Sequence, residues 1–390
     1  MTARILLLGL AATLLACESE VRTAQPPNPT KADAAVIAPT DAGFIDVGSL
    51  PQNCRPQPWK SELVMDGFDG ASDKVSIAVS QEGAIYLSFD NDQRAWFAER
   101  TKDSGWTNQA LDRAVNRSTT MSSLALDTQG NPHIIYGQNT RNQRLEIKHH
   151  WRVDGQWSSE VVDISGGRTS IHPRYLIDKR DKQHLTFYKK GTIELYYASK
   201  SPGEAWQVNR RAARSVNQGA SFAIDSQDVL HMTLEDPRDD NLGYANLRDG
   251  VWTEEIVDES PQFVYASDIF LDGDDQPVIA YAHNDASELR LARKKNNKWE
   301  LEVVNQEKVY VLDALIDEEQ TTHLFYVLPL DNQIVHVSRR LEDSAWQTTQ
   351  VASTVRHASL ASASTGAGTL HLVYFLYQER ELHYAVRECL

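Results

Sequence analysis

Two segments of the sequence, each leading into a strand-like run, place histidine close to arginine. The longer segment contains Arg168, His172 and Arg174, and the shorter one is Arg356-His357. A histidine in this setting can remove the proton next to a uronate carboxylate while an arginine neutralises that carboxylate. The same side chains can instead form a polar rim that binds a ligand without chemistry. We favour the binding interpretation and keep catalysis as the alternative.

Two tyrosines occupy positions comparable to these segments. Tyr265 and Tyr310 each lie close to the start of an apolar, strand-like segment. Aromatic faces stack on sugar rings, and arginine fixes polar groups through its planar fork of donors. The candidate ligand-binding residues are therefore Arg168, His172, Arg174, Tyr265, Tyr310, Arg356 and His357, and only His172 and His357 are candidate catalytic residues.

Five histidines recur at matching places along the chain, which raises the question of a metal site. Imidazole is the commonest protein ligand for metals. Equivalent positions in a circular repeat are spread around a ring, however, so these side chains should not converge on one ion. We expect each ring to bond a neighbouring backbone group or turn carboxylate instead. The five residues are His133, His184, His231, His323 and His371.

Two acidic turns offer oxygen ligands of the kind that Ca²⁺ prefers. They are Asp272-Gly-Asp-Asp275 and Asp90-Asn-Asp92. Neither has EF-hand spacing or a closing glutamate. We interpret both as solvated turns and expect no cofactor, with Ca²⁺ as the weaker alternative.

The elements that must position these residues are marked by tryptophan. Seven of the nine tryptophans recur at intervals of 46 to 51 residues, a period typical of propeller repeats. Each precedes a short strand-like run. The seven are Trp59, Trp106, Trp157, Trp206, Trp252, Trp299 and Trp346.

Three further strand-like segments lie between successive tryptophans. The first is small and apolar, as at 123–127, and suits a crowded innermost strand. The second and third are rich in aromatic and β-branched residues, as at 133–136 and 195–198. Four strands in each of seven repeats predict an all-β fold, a seven-bladed β-propeller with four antiparallel strands per blade. The candidate loop residues then lie where loops from several blades meet around the channel.

The two ends of the repeat region complement each other. Trp59 is not preceded by the three strand-like segments that precede the other tryptophans. The last three segments, ending at Ala385, are not followed by a tryptophan and its strand-like run. An N-terminal outermost strand that completes the last blade explains both absences. Cys54 and Cys389 flank this junction, and we expect a disulfide between them, with two free thiols as the alternative.

Over residues 59–389 the repeats resemble the sialidase-like propellers, including bacterial BNR-like repeats. The resemblance implies the fold more strongly than any activity. Asp127-Thr-Gln-Gly130 matches part of the Asp-box of those proteins but lacks the trailing Thr-Trp. The three arginines that clamp a carboxylate in sialidases cannot be assigned. The loop histidines also resemble those of certain propeller polysaccharide lyases and rhamnosidases, which implies a lyase or glycosidase as the alternative function.

The N-terminal segment predicts export. Arg4 is followed by the apolar run 5–16, which is a signal-peptide core too short to span a membrane as a finished helix. Leu14-Leu15-Ala16-Cys17 resembles a bacterial lipobox, which implies lipidation of Cys17 and, with Glu18 following, anchoring to the outer membrane. An ordinary cleavage site is the alternative. We predict a signal peptide at 1–16, a disordered Pro- and Ala-rich tether at 17–53, and the propeller at 54–390.

Charge narrows the choice of partners. The formal net charge is −15, and no run of Lys and Arg marks a nucleic-acid surface. We therefore expect a monomeric, envelope-anchored binding propeller that recognises a glycan or an envelope protein and touches the membrane only through its lipid.

Overall fold

The computed structural model describes residues 56–68, 74–92, 94–112, 119–139, 145–162, 173–188, 194–214, 220–235, 241–260, 264–283, 286–328, 330–353, 358–366 and 368–389. Within these ranges every regular element is a β-strand. No helix in the described part of the chain is long and apolar enough to cross a membrane.

Twenty-eight strands form seven sheets of four. Strand β1 (Lys60–Met65) precedes blade 1, which has β2 (Val75–Val79), β3 (Ile85–Asn91), β4 (Arg94–Arg100) and β5 (Thr107–Ala110). Blade 2 has β6 (Thr119–Leu126), β7 (Pro132–Asn139), β8 (Leu145–Val153) and β9 (Gln156–Val162), and blade 3 has β10 (Arg174–Ile177), β11 (Gln183–Tyr188), β12 (Glu194–Lys200) and β13 (Gln207–Arg214).

The remaining blades follow the same plan. Blade 4 has β14 (Phe222–Ile224), β15 (Leu230–Glu235), β16 (Leu242–Arg248) and β17 (Val251–Asp258), and blade 5 has β18 (Val264–Leu271), β19 (Pro277–His283), β20 (Glu288–Lys295) and β21 (Lys298–Asn305). Blade 6 has β22 (Leu312–Ile316), β23 (Thr321–Leu328), β24 (Gln333–Arg340) and β25 (Gln347–Ser353), and blade 7 has β26 (Ala358–Thr365), β27 (Thr369–Leu376) and β28 (Glu381–Arg387).

The seventh blade confirms the predicted closure of the ring. Its strand order is β1-β28-β27-β26, so the first strand of the described chain is the outermost strand of the last blade. The pairing is antiparallel, with Ser61 opposite Ala385 and Met65 opposite Leu382. Six sheets are four-stranded antiparallel meanders, and the seventh is a three-stranded meander completed by β1, which confirms the seven-bladed propeller.

The innermost strands are held to each other around the channel by short polar side chains. Ser76 Oγ accepts a hydrogen bond from the backbone N–H of Leu124 at 3.1 Å. Asp313 Oδ2 accepts one from the N–H of Ser362 at 2.7 Å. These carboxylate and hydroxyl groups are buried, so their partners remove the cost of an unsatisfied polar group. The small residues predicted for the inner strands therefore also serve as links between blades.

The recurring tryptophans hold the outer parts of the blades together. Trp157 packs edge-on against Phe97 of the preceding blade, with ring centroids 5.1 Å apart. Trp106 makes the same contact with Tyr384 across the closure, at 5.5 Å. Edge-to-face aromatic pairs contribute about 0.5–1.5 kcal/mol beyond their buried area. The tryptophans therefore recur once per blade because each one packs against the neighbouring blade.

Candidate functional site

The predicted binding residues belong to the connections that lead into the innermost strands. Arg174 is the first residue of β10, the backbone of Tyr265 is the second residue of β18, and Tyr310 lies two residues before β22. Because every blade has the same strand order, these entry connections open at one end of the channel, which we call the entry end. Four candidates lie outside the described residues, namely Arg168, His172, Arg356 and His357, as do Cys17 and Cys54.

Arg174 and Tyr310 are the candidates whose side chains the structure describes, and Tyr310 is the more exposed of the two. It is 36% exposed, and the Lys308 ammonium lies 5.4 Å from its ring centroid. A partly exposed aromatic ring beside a cation can stack on a sugar while the cation meets a polar or anionic substituent. Arg174 is half-buried at its place in the ring, opposite Thr186 of β11.

A polar cluster that sequence reasoning missed lies between blades 1 and 2. The Tyr136 hydroxyl donates to Asp112 Oδ2 at 2.6 Å and lies 2.9 Å from His150 Nε2, while Lys148 Nζ donates to the same carboxylate oxygen at 3.1 Å. Burial alone would raise the pKa of Asp112, but hydrogen bonds from His150, Tyr136 and Lys148 hold that pKa well below its usual value. Asp112 is therefore the anionic centre of the cluster.

A second cluster of the same design lies between blades 4 and 5. The Tyr281 hydroxyl donates to Asp258 Oδ2 at 2.6 Å, and Arg290 Nη1 donates to that oxygen at 2.8 Å. Like Tyr136 in the first cluster, Tyr281 is fully buried, and burial is the largest cause raising the pKa of both phenols. Each cluster joins two neighbouring blades through its carboxylate.

The five repeated histidines have the structural role that was expected. His184 Nε2 lies 3.2 Å from Asp178 Oδ2 in the turn before its strand, and the Tyr197 hydroxyl lies 2.7 Å from its Nδ1. His231 repeats this arrangement with Asp225 and Tyr244. Four of the five rings lie next to the carboxylate of their own turn, and His371 instead lies 3.4 Å from the Thr365 hydroxyl. All five also contact the third strand of their own blade, which is a structural role.

Blades 2 and 6 replace the tyrosine of this arrangement with a second histidine. His133 Nδ1 lies 3.0 Å from His149 Nε2, and His323 Nδ1 lies 2.9 Å from His336 Nε2. Burial lowers the pKa of His149 to about 4 and that of His336 well below its usual value. In the described part of the chain no three His, Cys, Asp or Glu side chains are arranged to hold a metal ion.

Each acidic turn considered for Ca²⁺ has a carboxylate oxygen that accepts hydrogen bonds from backbone N–H groups of the chain. Asp272 Oδ1 accepts from the N–H groups of Asp274 and Gln276 at 3.0 and 2.9 Å. Asp90 Oδ2 accepts from the N–H of Met121 at 2.7 Å. These contacts are those of turn-forming and blade-linking carboxylates.

A cleft of about 630 Å³ lies between blades 6 and 7, at the end of the propeller opposite the entry end. Its size is that of a small-molecule site. We call it the closure cleft because it adjoins the junction of β1 with β28. It is lined by Pro56, Asp317, Glu319, Thr321, His323, Ser338, Arg339, Arg340, Glu342, Asp343, Gln347, Gly368, Leu370, Arg387, Glu388 and Cys389.

Comparison with known proteins supports the fold. No family model and no curated protein sequence matches the chain. The chain is similar in structure to a polysaccharide lyase of family PL25, an ulvan lyase, with a TM-score of 0.60 and 12% identity over 85% of this chain and 95% of that one.

Two further structures are similar over most of the chain. The polysaccharide lyase Uly1 has a TM-score of 0.51 and 8% identity over 83% of this chain and 91% of that one. AofleA from Arthrobotrys oligospora has a TM-score of 0.50 and 9% identity over 76% of this chain and 91% of that one. None of these three structures is described as a sialidase, so the likeness supports the propeller fold and not the sialidase-like group in particular.

Proposed function

We propose that the protein is a non-catalytic binding propeller that recognises a glycan, or a protein partner, at the entry end of its channel. The observation that supports this proposal is the common strand order, which puts the starts of the innermost strands, and with them Arg174, Tyr265 and Tyr310, at one end of the ring. Loops from several blades around a channel form the usual ligand site of a propeller. A glycan is the favoured ligand because two of the similar structures are polysaccharide lyases.

The proposal is tested by binding measurements on residues 54–390. We expect this fragment to bind on a glycan array or to retain a partner in an envelope pull-down, and Arg168→Ala combined with Arg174→Ala to weaken binding at least tenfold, about 1.4 kcal/mol. Arg180→Ala is the matched control because Arg180 is an exposed arginine at the opposite end, paired with Asp228. No binding in either assay, or equal losses in the two variants, would count against the proposal.

The alternative function is a polysaccharide lyase or glycosidase that uses His172 or His357. It is supported by the arginines near both histidines and by the two lyases among the similar structures. Uronate-rich polysaccharides incubated with the protein would then yield unsaturated or reducing ends. Loss of this product in a His172→Ala, His357→Ala double variant would favour the enzyme, and full activity in that variant would reject these two residues.

We also propose that the propeller is lipid-anchored through Cys17 at the bacterial envelope and held away from the membrane by the tether at 17–53. The lipobox-like sequence supports this proposal. Labelling cells with an alkyne fatty acid should mark the wild type and leave Cys17→Ser unlabelled.

A disulfide between Cys54 and Cys389 is proposed to fasten the ring. It is supported by the backbone bridge between Pro56 and Cys389 and by a hydrogen bond of 2.9 Å from Gln57 N to Glu388 O, which bring the N-terminal chain to Cys389. Because so long a loop is closed, reduction should lower the free energy of unfolding by about 2–4 kcal/mol. Urea unfolding with and without reductant measures this, and Cys54→Ser should abolish the difference. Identical curves for oxidised and reduced wild type would exclude a stabilising disulfide.

A further inference from the structure

Most blade interfaces share a three-part ionic contact near the recurring tryptophan. A cation stands on the third strand opposite the tryptophan, as Lys294 stands opposite Trp299. The residue three positions after the tryptophan of the preceding blade supplies a glutamate to that cation, as Glu255 does for Lys294. Four interfaces have such a pair: Glu62 with Arg100, Glu160 with Lys200, Glu255 with Lys294, and Glu302 with Arg339.

The glutamate often accepts from the tryptophan as well. Glu302 receives two hydrogen bonds of 2.6 Å from Arg339 and one of 3.1 Å from Trp346 Nε1. Where the repeat glutamate is replaced by Gln109, Arg152 takes Glu99 of β4 as its carboxylate partner instead. A carboxylate is therefore the regular partner of the cation at this position.

The interface between blades 6 and 7 keeps the cation and lacks the acid. Arg387 follows Val386, which pairs with Lys60, so it stands opposite Trp59. Three residues after Trp346 the chain has Thr349. Arg387 donates to Gln57 O and to His336 Nδ1, both at 3.2 Å, and makes no contact with a carboxylate among the described residues. Burial lowers its pKa, with no acid to offset the effect.

The tryptophan of this interface also lacks its acceptor. The Nε1 of Trp59 is buried without a hydrogen-bond partner among the described residues. Trp157 and Trp299 share this feature, but their interfaces each keep a carboxylate on the cation. Among the described residues, the junction of blades 6 and 7 is the one interface where the recurring indole and an arginine stand together without a carboxylate.

The closure cleft opens at this same place. Arg387 lines it, and the two other arginines of its wall already have partners, Arg339 with Glu302 and Arg340 with Glu319. Arg387 therefore presents its remaining N–H groups to a cleft large enough for one or two sugar rings. A guanidinium with two free N–H groups is suited to a carboxylate, which it binds through two parallel hydrogen bonds.

We propose that the closure cleft is a second ligand site, which binds a small carboxylate whose anionic group takes the place of the missing glutamate on Arg387. The wall carries neutral and acidic acceptors, among them Ser338, Gln347 and Asp343, which fit the hydroxyl groups of a sugar acid. The wall carries five carboxylates, and three of them already have a partner, Asp317 with His323, Glu319 with Arg340 and Glu388 with Lys60. The other two, Glu342 and Asp343, are exposed, so solvent and salt weaken their repulsion of an anion. The site is independent of the proposed function, because it lies at the other end of the propeller.

The first test is calorimetric titration of residues 54–390 with D-glucuronate, D-glucose and acetate. Glucuronate should bind with a dissociation constant of about 1 mM or tighter, and glucose should bind at least tenfold more weakly. If acetate binds as tightly as glucuronate, the ligand is a simple carboxylate and the sugar ring adds nothing to binding. No glucuronate binding, or equal binding of glucose, would overturn the proposal.

The second test restores the missing acid. Thr349→Glu places a carboxylate where the other interfaces have one, so it should occupy Arg387, raise the melting temperature and weaken glucuronate binding at least tenfold. Arg387→Gln should weaken binding to the same extent. Arg100→Gln is the control, since Arg100 holds the equivalent position at another interface and is already paired with Glu62. Unchanged glucuronate binding in both Thr349→Glu and Arg387→Gln, in proteins with a native circular-dichroism spectrum, would contradict the proposal.

Discussion

Deleting residues 57–66 is expected to unfold or aggregate the protein, because it removes the outermost strand of blade 7 and two blade contacts at once. Without β1, strand β28 loses its partner along the whole register from Lys60 to Met65. The deletion also removes Glu62, which accepts hydrogen bonds from Arg100 and Trp106 of blade 1. The deletion also removes the buried Val64 and the partly buried Trp59. Losing the apolar contacts of these side chains together with the strand pairing should exceed the stability of many domains.

Soluble yield and thermal melting measure this effect. Deleting residues 18–52 is the control, and it should leave the melting temperature unchanged because that segment precedes the closure. Glu62→Gln is a milder test, which should lower the melting temperature by weakening the contact between blades 7 and 1 without exposing a sheet edge. A deletion of 57–66 that melts like the intact protein would show that β1 does not stabilise the ring.

Mild acid is expected to destabilise the protein already below about pH 6.5. Burial lowers the pKa of His149 and of His371 to about 4, and it lowers those of His184 and His336 as well. Since these histidines have lower pKa values folded than unfolded, the unfolded chain takes up protons first as the pH falls. Stability is therefore lost between about pH 6.5 and 4. At pH 5, His149 and His371 should each cost roughly 2 kcal/mol.

The paired carboxylate of Glu160, which is half-buried, adds to this loss at lower pH. Hydrogen bonding by His149 is the largest cause holding the pKa of Glu160 at about 2, so its stabilising contribution is present above the usual glutamate pKa and fades as the pH falls toward 2. The two ranges adjoin, so acid unfolding should be continuous from slightly acid pH downwards.

Thermal melting from pH 7.5 to 4.5 measures the histidine contribution. His371→Gln should be less stable than the wild type at pH 7.5, because the ring lies 2.6 Å from the Tyr384 hydroxyl, yet it should lose less stability on acidification. An unchanged wild-type melting temperature between pH 7.5 and 5 would contradict the assignment of these rings as neutral in the folded protein.

The fold could be predicted from sequence because the residues that recur in each repeat are the ones that make contacts between blades. The tryptophan spacing follows the aromatic contacts between blades, and the incomplete repeats at the two ends follow from the pairing of β1 with β28. The structural role of the repeated histidines could also be predicted, since equivalent positions in a ring diverge.

The polar contacts between blades could not be predicted in the same way. Asp112 and Tyr136 are 24 residues apart and belong to different blades, and nothing in their local pattern marks them as partners. Nothing in the sequence around Arg387 marks it as a binding residue. Its role follows from the strand register, which places it opposite Trp59, and from Thr349, which stands where other repeats have the glutamate. Such sites depend on the pairing register of the strands and on which repeat lacks the usual glutamate. The candidate residues of the entry end stay a prediction.

The end of the propeller that binds the ligand is tested most directly by amide hydrogen exchange, with and without the best glycan from the array. Binding at the entry end predicts slower exchange in the connections at 163–173, 259–263, 306–311 and 354–357, with the turns at the opposite end unchanged. Protection confined to the opposite turns, such as 178–182 and 225–229, would contradict the proposed binding face.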